Sequence, residues 1–325
     1  MQYTKNNKKI LSIGAFLLCA SMLSACGTDK RVGFTPYWAA EITAPQENIH
    51  QKLEYDVTFE KSTGIVDFSL NYENGKYVTE LTTESLQDGT IVYRYTTKLT
   101  IDATYVLQSE SFTSQDVVST EAVFHTTKEG LKPISSKKEL KATSPVNNLK
   151  PTKIDECYTK TEYTIITEYN DELTSGESKF ITVDDEGKEV EKKKSFSIGN
   201  KLTYLDNEQL LFAISGINPH ESANQKFSVY APLTNAVQTI KVGFTAVKGQ
   251  DFKLTKDGET GTFTVQYFPV SISINDKNAG ATQTAWYASH KNSPEFRNVL
   301  LQLKTPVSYG LGTLTYVLTN ATFSK

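Results

Sequence analysis

The sequence predicts an all-β protein, a large curved antiparallel sheet (half-barrel or open barrel) with one covering helix near residues 207–215. Three observations predict it. Apolar and polar residues alternate with a period of two along most of the chain, which sends successive side chains to opposite faces of a strand. Asn-Gly and Asp-Gly pairs interrupt the alternating runs as hairpin turns do. Only one stretch has helical spacing: Leu210, Ala213, Ile214 and Ile217 follow an Asp206 N-cap, with Gln209 at the partner position of a capping box and Gly216 and Pro219 as the stop.

The first 25 residues read as a removable leader. Lys5, Lys8 and Lys9 form a basic start, and an apolar core from Ile10 ends at Leu23-Ser24-Ala25-Cys26. That core is shorter than the roughly 20 residues of a membrane-spanning helix. The four residues resemble the lipobox of bacterial lipoproteins. The resemblance implies that Cys26 becomes the first residue of the mature chain, is the lipid attachment site, and anchors the protein to the extracytoplasmic face of the cell membrane. Losing the leader turns 34 basic residues into 31 against 37 acidic ones, so the formal net charge moves from −3 to about −6. Such a chain is not a nucleic-acid binder. Cys19 departs with the leader and Cys26 carries lipid, so Cys157 alone remains and no intrachain disulfide can form. With no Cys/His motif around it, Cys157 reads as a small apolar filler.

Residues 26–51, punctuated by Pro36 and Pro45, read as a lipidated N-terminus and tether. Its rings, Phe34, Tyr37 and Trp38, suit either the headgroup region of a bilayer or the edge of the domain. Residues 52–325 form the β-rich domain. Leu53, Tyr55, Val57 and Phe59 alternate with acids and Thr58; Val66, Phe68, Leu70 and Tyr72 follow, and Asn74-Gly75 and Asp88-Gly89 read as hairpin turns. Strands are expected at Thr104 to Thr113, Val117 to Thr126, and Leu131 to Ala142. The proline- and asparagine-containing stretch 144–152 is either a long loop or a division between two β units. Strands resume at Cys157 to Tyr169. The hairpin around Asp184 to Gly187 carries interleaved charge, ending in Lys192-Lys193-Lys194, and reads as a solvated tip. After the helix come strands near Lys226 to Tyr230, Val237 to Val247, Phe252 to Thr255, Thr260 to Ile274, Gln283 to Ser289, Val299 to Thr305 and Leu314 to Phe323. Lys248-Gly249 and Asp257-Gly258 are the expected turns among them, and Pro269 marks an edge or a bulge.

Motifs for chemistry are near misses. His220-Glu221 opens like a zinc-protease motif, but Asn224 stands where the second histidine belongs. Asp276, Asn278 and Gly280 lack the later bidentate acid of a calcium loop. No catalytic residue, metal site or cofactor is expected. The aromatic load, 17 Tyr and 16 Phe, is that of packed sheets, and it could also line a cavity beneath the helix. Three residues are the candidate ligand contacts: Phe212, placed near the rim of such a cavity under the helix as lid, and Trp286 and Tyr287, whose rings must point to opposite faces of a late strand.

The run Tyr204 to Phe212, the strand Thr239 to Val247, Trp286-Tyr287-Ala288-Ser289, Arg297, and the closing Pro306 to Gly310 with Thr313-Leu314-Thr315 together resemble a broad family of exported bacterial proteins of unknown function. In that family an Arg precedes a strand and a Gly-turn hairpin ends the domain. The resemblance implies a long antiparallel sheet, similar in outline to the half-barrels of periplasmic lipoprotein carriers, and carries over no catalytic residues. The expected function is therefore noncatalytic binding of an apolar, lipid-like or other envelope-derived ligand. The alternative is a structural or interaction protein that binds cell-wall polymer or a protein partner.

Overall fold

The structure, a computed structural model, describes residues 32–39, 48–62, 66–127, 130–148, 150–184, 186–219, 224–274 and 282–324. The lipobox with Cys26, the His220-Glu221 pair and the Asp276 to Gly280 stretch lie outside them. The chain is nearly all β. Eight strands form an antiparallel meander: β1 (His50–Lys61), β2 (Ser69–Ser85), β3 (Ile91–Leu107), β4 (Glu110–Thr127), β5 (Gly130–Pro145), β6 (Tyr158–Tyr169), β7 (Ser175–Val183) and β8 (Glu189–Ser197). A short β9 (Thr203–Leu205) leads into a 3-10 turn (Asn207–Gln209) and the helix α1 (Leu210–Ile214). The rest comprises β10 (Asn224–Ala231), β11 (Ala236–Phe244), β12 (Lys248–Lys256), β13 (Glu259–Ile274), β14 (Gln283–Ala288), β15 (Leu300–Val307) and β16 (Gly312–Phe323).

One sheet holds all of them, in the order β8-β7-β6-β5-β4-β3-β2-β1-β16-β15-β14-β13-β11-β10-β9, with β12 bridging β13 and β16. That bridge closes a five-stranded barrel, β12 to β16, through a parallel pairing of Thr255 and Lys256 with Asn320 and Ala321. The curved sheet expected from sequence is therefore present, and part of it closes fully. Its far ends also meet: Phe196 of β8 stacks on Tyr230 of β10 at 3.7 Å between centroids, and Tyr169 of β6 lies edge-on to Tyr204 of β9 at 5.7 Å. This seam is made of side chains.

Several turn assignments change. Asn74-Gly75 is not a hairpin turn but a bulge inside the single long strand β2, where the pairing to β3 slips between Glu73 and Lys76. Asn74 takes φ 54°, and a Cβ on Gly75 would stand 2.6 Å from the Val57 carbonyl oxygen, so the close approach of β1 requires glycine. Conversely, Thr104 to Thr113 is not one strand: β3 turns into β4 at Gln108-Ser109, where Gln108 adopts φ 52° with no Asn, Asp or Gly at the turn. Lys248-Gly249 opens β12, paired with Tyr267 and Gln266, rather than forming a turn. Pro269 falls where β13 exchanges β12 for β11 as neighbour, so its missing N–H costs no ladder bond. The 144–152 stretch is a loop between two paired neighbours, since Pro145 of β5 stands opposite Tyr158 of β6.

Residues 32–39 are packed into the body rather than forming a free tether. The Val32 N–H donates to Thr203 Oγ1 at 2.8 Å and the Thr35 N–H to the Gly216 carbonyl at 2.8 Å. Trp38, 1 % exposed, enters the core, Phe34 meets Phe227, and Tyr37 lies 4.5 Å from His290. Cys157 is buried, and burial pushes its thiol up to about 11, as suits an inert filler.

Candidate functional site

The helix begins as its sequence requires. Asp206 accepts from the Glu208 N–H at 2.7 Å, and Gln209 Oε1 accepts from the Asp206 N–H at 3.0 Å, completing the capping box. Asp206 is fully enclosed and also accepts from Ser136 Oγ of β5 at 2.7 Å and the Tyr169 hydroxyl of β6 at 2.5 Å. It thus ties the helix start to the other side of the seam. Burial pushes its carboxyl up to about 6, with neighbouring Glu208 adding to the rise and the two hydroxyl bonds opposing it.

The helix covers the concave face, and the space beneath it is filled. Leu210, Ala213, Ile214 and Ile217 are buried, and Phe212 lies within 4.8 to 5.4 Å of Trp38, Tyr95 and Phe124. The expected place of Phe212 at a cavity rim is therefore corrected. Helical residues facing a sheet this rich in rings meet rings, and Trp38 from the N-terminal segment completes the packing. Trp286 and Tyr287 do point to opposite faces. Tyr287, 1 % exposed, donates its hydroxyl to the Leu211 carbonyl at 2.7 Å, whereas half-buried Trp286 stacks on Tyr267 at 4.8 Å beside Phe252. Neither is a free contact surface, and the three predicted residues share no site.

What remains open is a groove beside the helix, lying between the meander and the barrel. One wall presents Tyr77 of β2, Tyr95, Thr97 and Leu99 of β3, and Val118 and Thr120 of β4. Opposite stand Gln283, Leu303, Thr305 and Tyr316 of β14 to β16, while Lys138, Asn207, Glu208 and Leu211 close one end. The free space is about 100 Å³ and opens to solvent. Burial pushes the phenols of Tyr77, Tyr95 and Tyr316 up, which keeps them protonated and able to donate. Thr97 and Thr120 share a hydroxyl bond at 2.8 Å, and Gln283 Nε2 donates to Thr305 Oγ1 at 3.3 Å while its Oε1 is buried without a partner. Lys138 and Glu208 form an almost fully enclosed ion pair at 3.7 Å.

A wider depression of about 660 Å³ lies among the turns near Gly130, Leu173 and Asn200, and a third of about 450 Å³ lies by Arg297. Both are shallow. Arg297, in a left-handed conformation ahead of β15, donates to the Ser324 carbonyl at 2.5 Å and lies over the Phe323 ring, so it fixes the end of β16. The groove combines several ring faces, hydroxyls and a charged pair from the meander, the barrel and the helix start. Among the described residues no group of three His, Cys, Asp or Glu could hold a metal ion, and no helix is long and apolar enough to cross a membrane.

No protein-family model matches the chain, and no curated protein matches its sequence. Among solved structures it is similar to the crystal structure of a beta-barrel-like protein of domain of unknown function DUF1849 from Brucella abortus, at 13 % identity and a TM-score of 0.48, over 87 % of this chain and 100 % of that one.

Proposed function

We propose that this chain is a lipid-anchored extracytoplasmic protein, held to the membrane through Cys26, whose groove binds a ring-sized unit of a neutral envelope polymer without transforming it. The leader and lipobox support the location. The convergence of Tyr77, Tyr95 and Tyr316 with Thr97, Thr120, Gln283 and Thr305 on one small opening carries the binding reading. Rings with hydroxyls at their edges match a molecule that has both apolar faces and polar edges, as a sugar does.

Magnitude decides between a polymer unit and an acyl chain. The groove's 100 Å³ is below the roughly 150 Å³ of an engineered cavity that accommodates benzene. An extended lipid tail needs enclosure along its length and has none, since rings already fill the space under the helix, whereas a polymer unit needs only to rest one face in the open mouth, with the rest of that unit and its neighbours outside. The negative charge of the mature chain disfavours polyanions and leaves a neutral cell-wall glycan as the fitting partner. The test uses the full-length lipidated protein in detergent, mixed with purified insoluble cell wall or with vesicles of envelope lipid. Cosedimentation with the wall is expected, together with its loss in Leu211→Trp, which fills the groove. Equal sedimentation of parent and variant, or extraction of lipid with the parent, refutes the reading.

A further inference from the structure

We infer that Lys138 and Asn207 are a self-modification site, joined by an autocatalytic amide cross-link in which Glu208 is the catalytic acid and base. Lys138 occupies an inward position of β5, flanked along the strand by buried Ser136 and Leu140, and its side chain is only 6 % exposed. Its Nζ makes no hydrogen bond among the described residues. Glu208 Oε1 stands 3.7 Å away, beyond the roughly 2.7 to 2.9 Å of a charge-assisted hydrogen bond. That same oxygen accepts from Asn207 Nδ2 at 2.8 Å. One carboxylate oxygen is therefore shared by an enclosed amine and the leaving nitrogen of a carboxamide, 3.7 Å from the one and 2.8 Å from the other. All three residues line both the groove and a smaller enclosed space of about 10 Å³ behind it. The arrangement is held rigidly, because Asn207 directly follows the Asp206 cap, which is bonded to Ser136 two residues before Lys138.

The chemistry balances with no added reagent. A proton crosses the ion pair from Nζ to Glu208, and the free amine attacks Asn207 Cγ, forming the Nζ–Cγ bond. Glu208 passes that proton to Nδ2 and takes up the second Nζ proton that the adduct must lose, the Cγ–Nδ2 bond breaks, and the released ammonia collects that proton from Glu208 and leaves through the open groove as ammonium. An ammonium and a carboxamide become a secondary amide and an ammonium ion. The product would tie β5 to the start of the helix, in a chain whose mature cysteines allow no intrachain disulfide. Nothing in this step depends on what the groove binds.

The full-length protein, extracted from membranes and denatured, is digested with trypsin and mapped by mass spectrometry. The expected result is a branched peptide that joins the Lys138 and Asn207 segments and is lighter than their sum by one ammonia, with cleavage at Lys138 lost. Glu208→Gln should return both segments as linear peptides, as should Lys138→Arg, which keeps the charge and length. The parent's own map tests the proposal even where a variant fails to fold. Linear peptides from the parent, with the Asn207 carboxamide intact or hydrolysed, overturn it. So does a branched peptide that forms undiminished in Glu208→Gln.

Discussion

Replacing Asp116 with Asn should flatten the pH dependence of stability and stabilise the protein near neutrality. Asp116 points inward from β4 at 1 % exposure, where its Oδ1 accepts from the Thr143 N–H at 2.9 Å and from the Thr143 hydroxyl at 3.1 Å. Burial pushes its carboxyl up to about 6, above the roughly 3.9 of an ordinary aspartate, with the Thr143 bonds opposing the rise. A folded-state value above the unfolded one means that its stabilising share is complete below about pH 4 and is lost as pH rises through about 6. The difference between the folded and unfolded values corresponds to roughly 3 kcal/mol at pH 7.5. Asp206, raised similarly, adds a comparable slope in the same direction. His290, lowered by burial, contributes a slope of opposite sign, which cancels when parent and variant are compared. Asn keeps an acceptor for Thr143 and offers an N–H to the neighbourhood of the buried Tyr72 and Tyr105 hydroxyls. Urea unfolding between pH 4.5 and 7.5 is the assay. The variant should gain on the parent by about 2 kcal/mol across that window. A constant difference between the two proteins, or one that shrinks with rising pH, refutes the reasoning.

Three further outcomes are expected. Phe212→Ala should cost about 3 to 5 kcal/mol in thermal or denaturant unfolding, because it empties the centre of the cluster formed with Trp38, Tyr95 and Phe124; a loss below 1 kcal/mol would place that ring outside the core. Gly75→Ala should cost about 1 to 3 kcal/mol, since its Cβ meets the Val57 oxygen at 2.6 Å and the Val57 Cβ at 2.7 Å; an unchanged denaturation midpoint would contradict this packing. Cys26→Ala should move the protein from the detergent phase to the aqueous phase on fractionation, and full retention would place the anchor elsewhere.

The fold was legible where local chemistry carries the information. Alternation located nearly every strand, and the Asp206–Gln209 capping box marked the helix start because both partners lie within one turn. It failed where distant chain decides the local geometry. Asn74-Gly75 has the composition of a hairpin turn, yet the neighbouring β1 backbone holds it as a bulge, and Gln108-Ser109 turns a hairpin without the Asn-Gly or Asp-Gly signal because the strands on each side are already paired. The candidate site was least legible of all. Tyr77, Tyr95, Tyr316, Gln283 and Lys138 come from five strands and have no shared spacing, and Lys138 sits in a Ser-Ser-Lys-Lys-Glu run that reads as solvated charge. The aromatic excess was the one signal that pointed towards them, and it does not distinguish lining from packing.

The pairing of β1 with β16 has a consequence for how the chain is made. β1 is synthesised well before β16, and they join along eleven paired positions from Gln51 to Lys61. Until β16 has been made, β1 presents a bare row of N–H and C=O groups on the finished meander. Such an edge invites pairing with another chain. Its outward residues, Lys52, Glu54, Asp56 and Glu60, put charge where a stray strand would dock. Barrel closure waits on the same event, because β12 has no partner on that side before β16 arrives. The meander can therefore assemble early from neighbours in sequence, while the barrel, the groove wall carrying Tyr316 and the sealing of β1 all form in one late step.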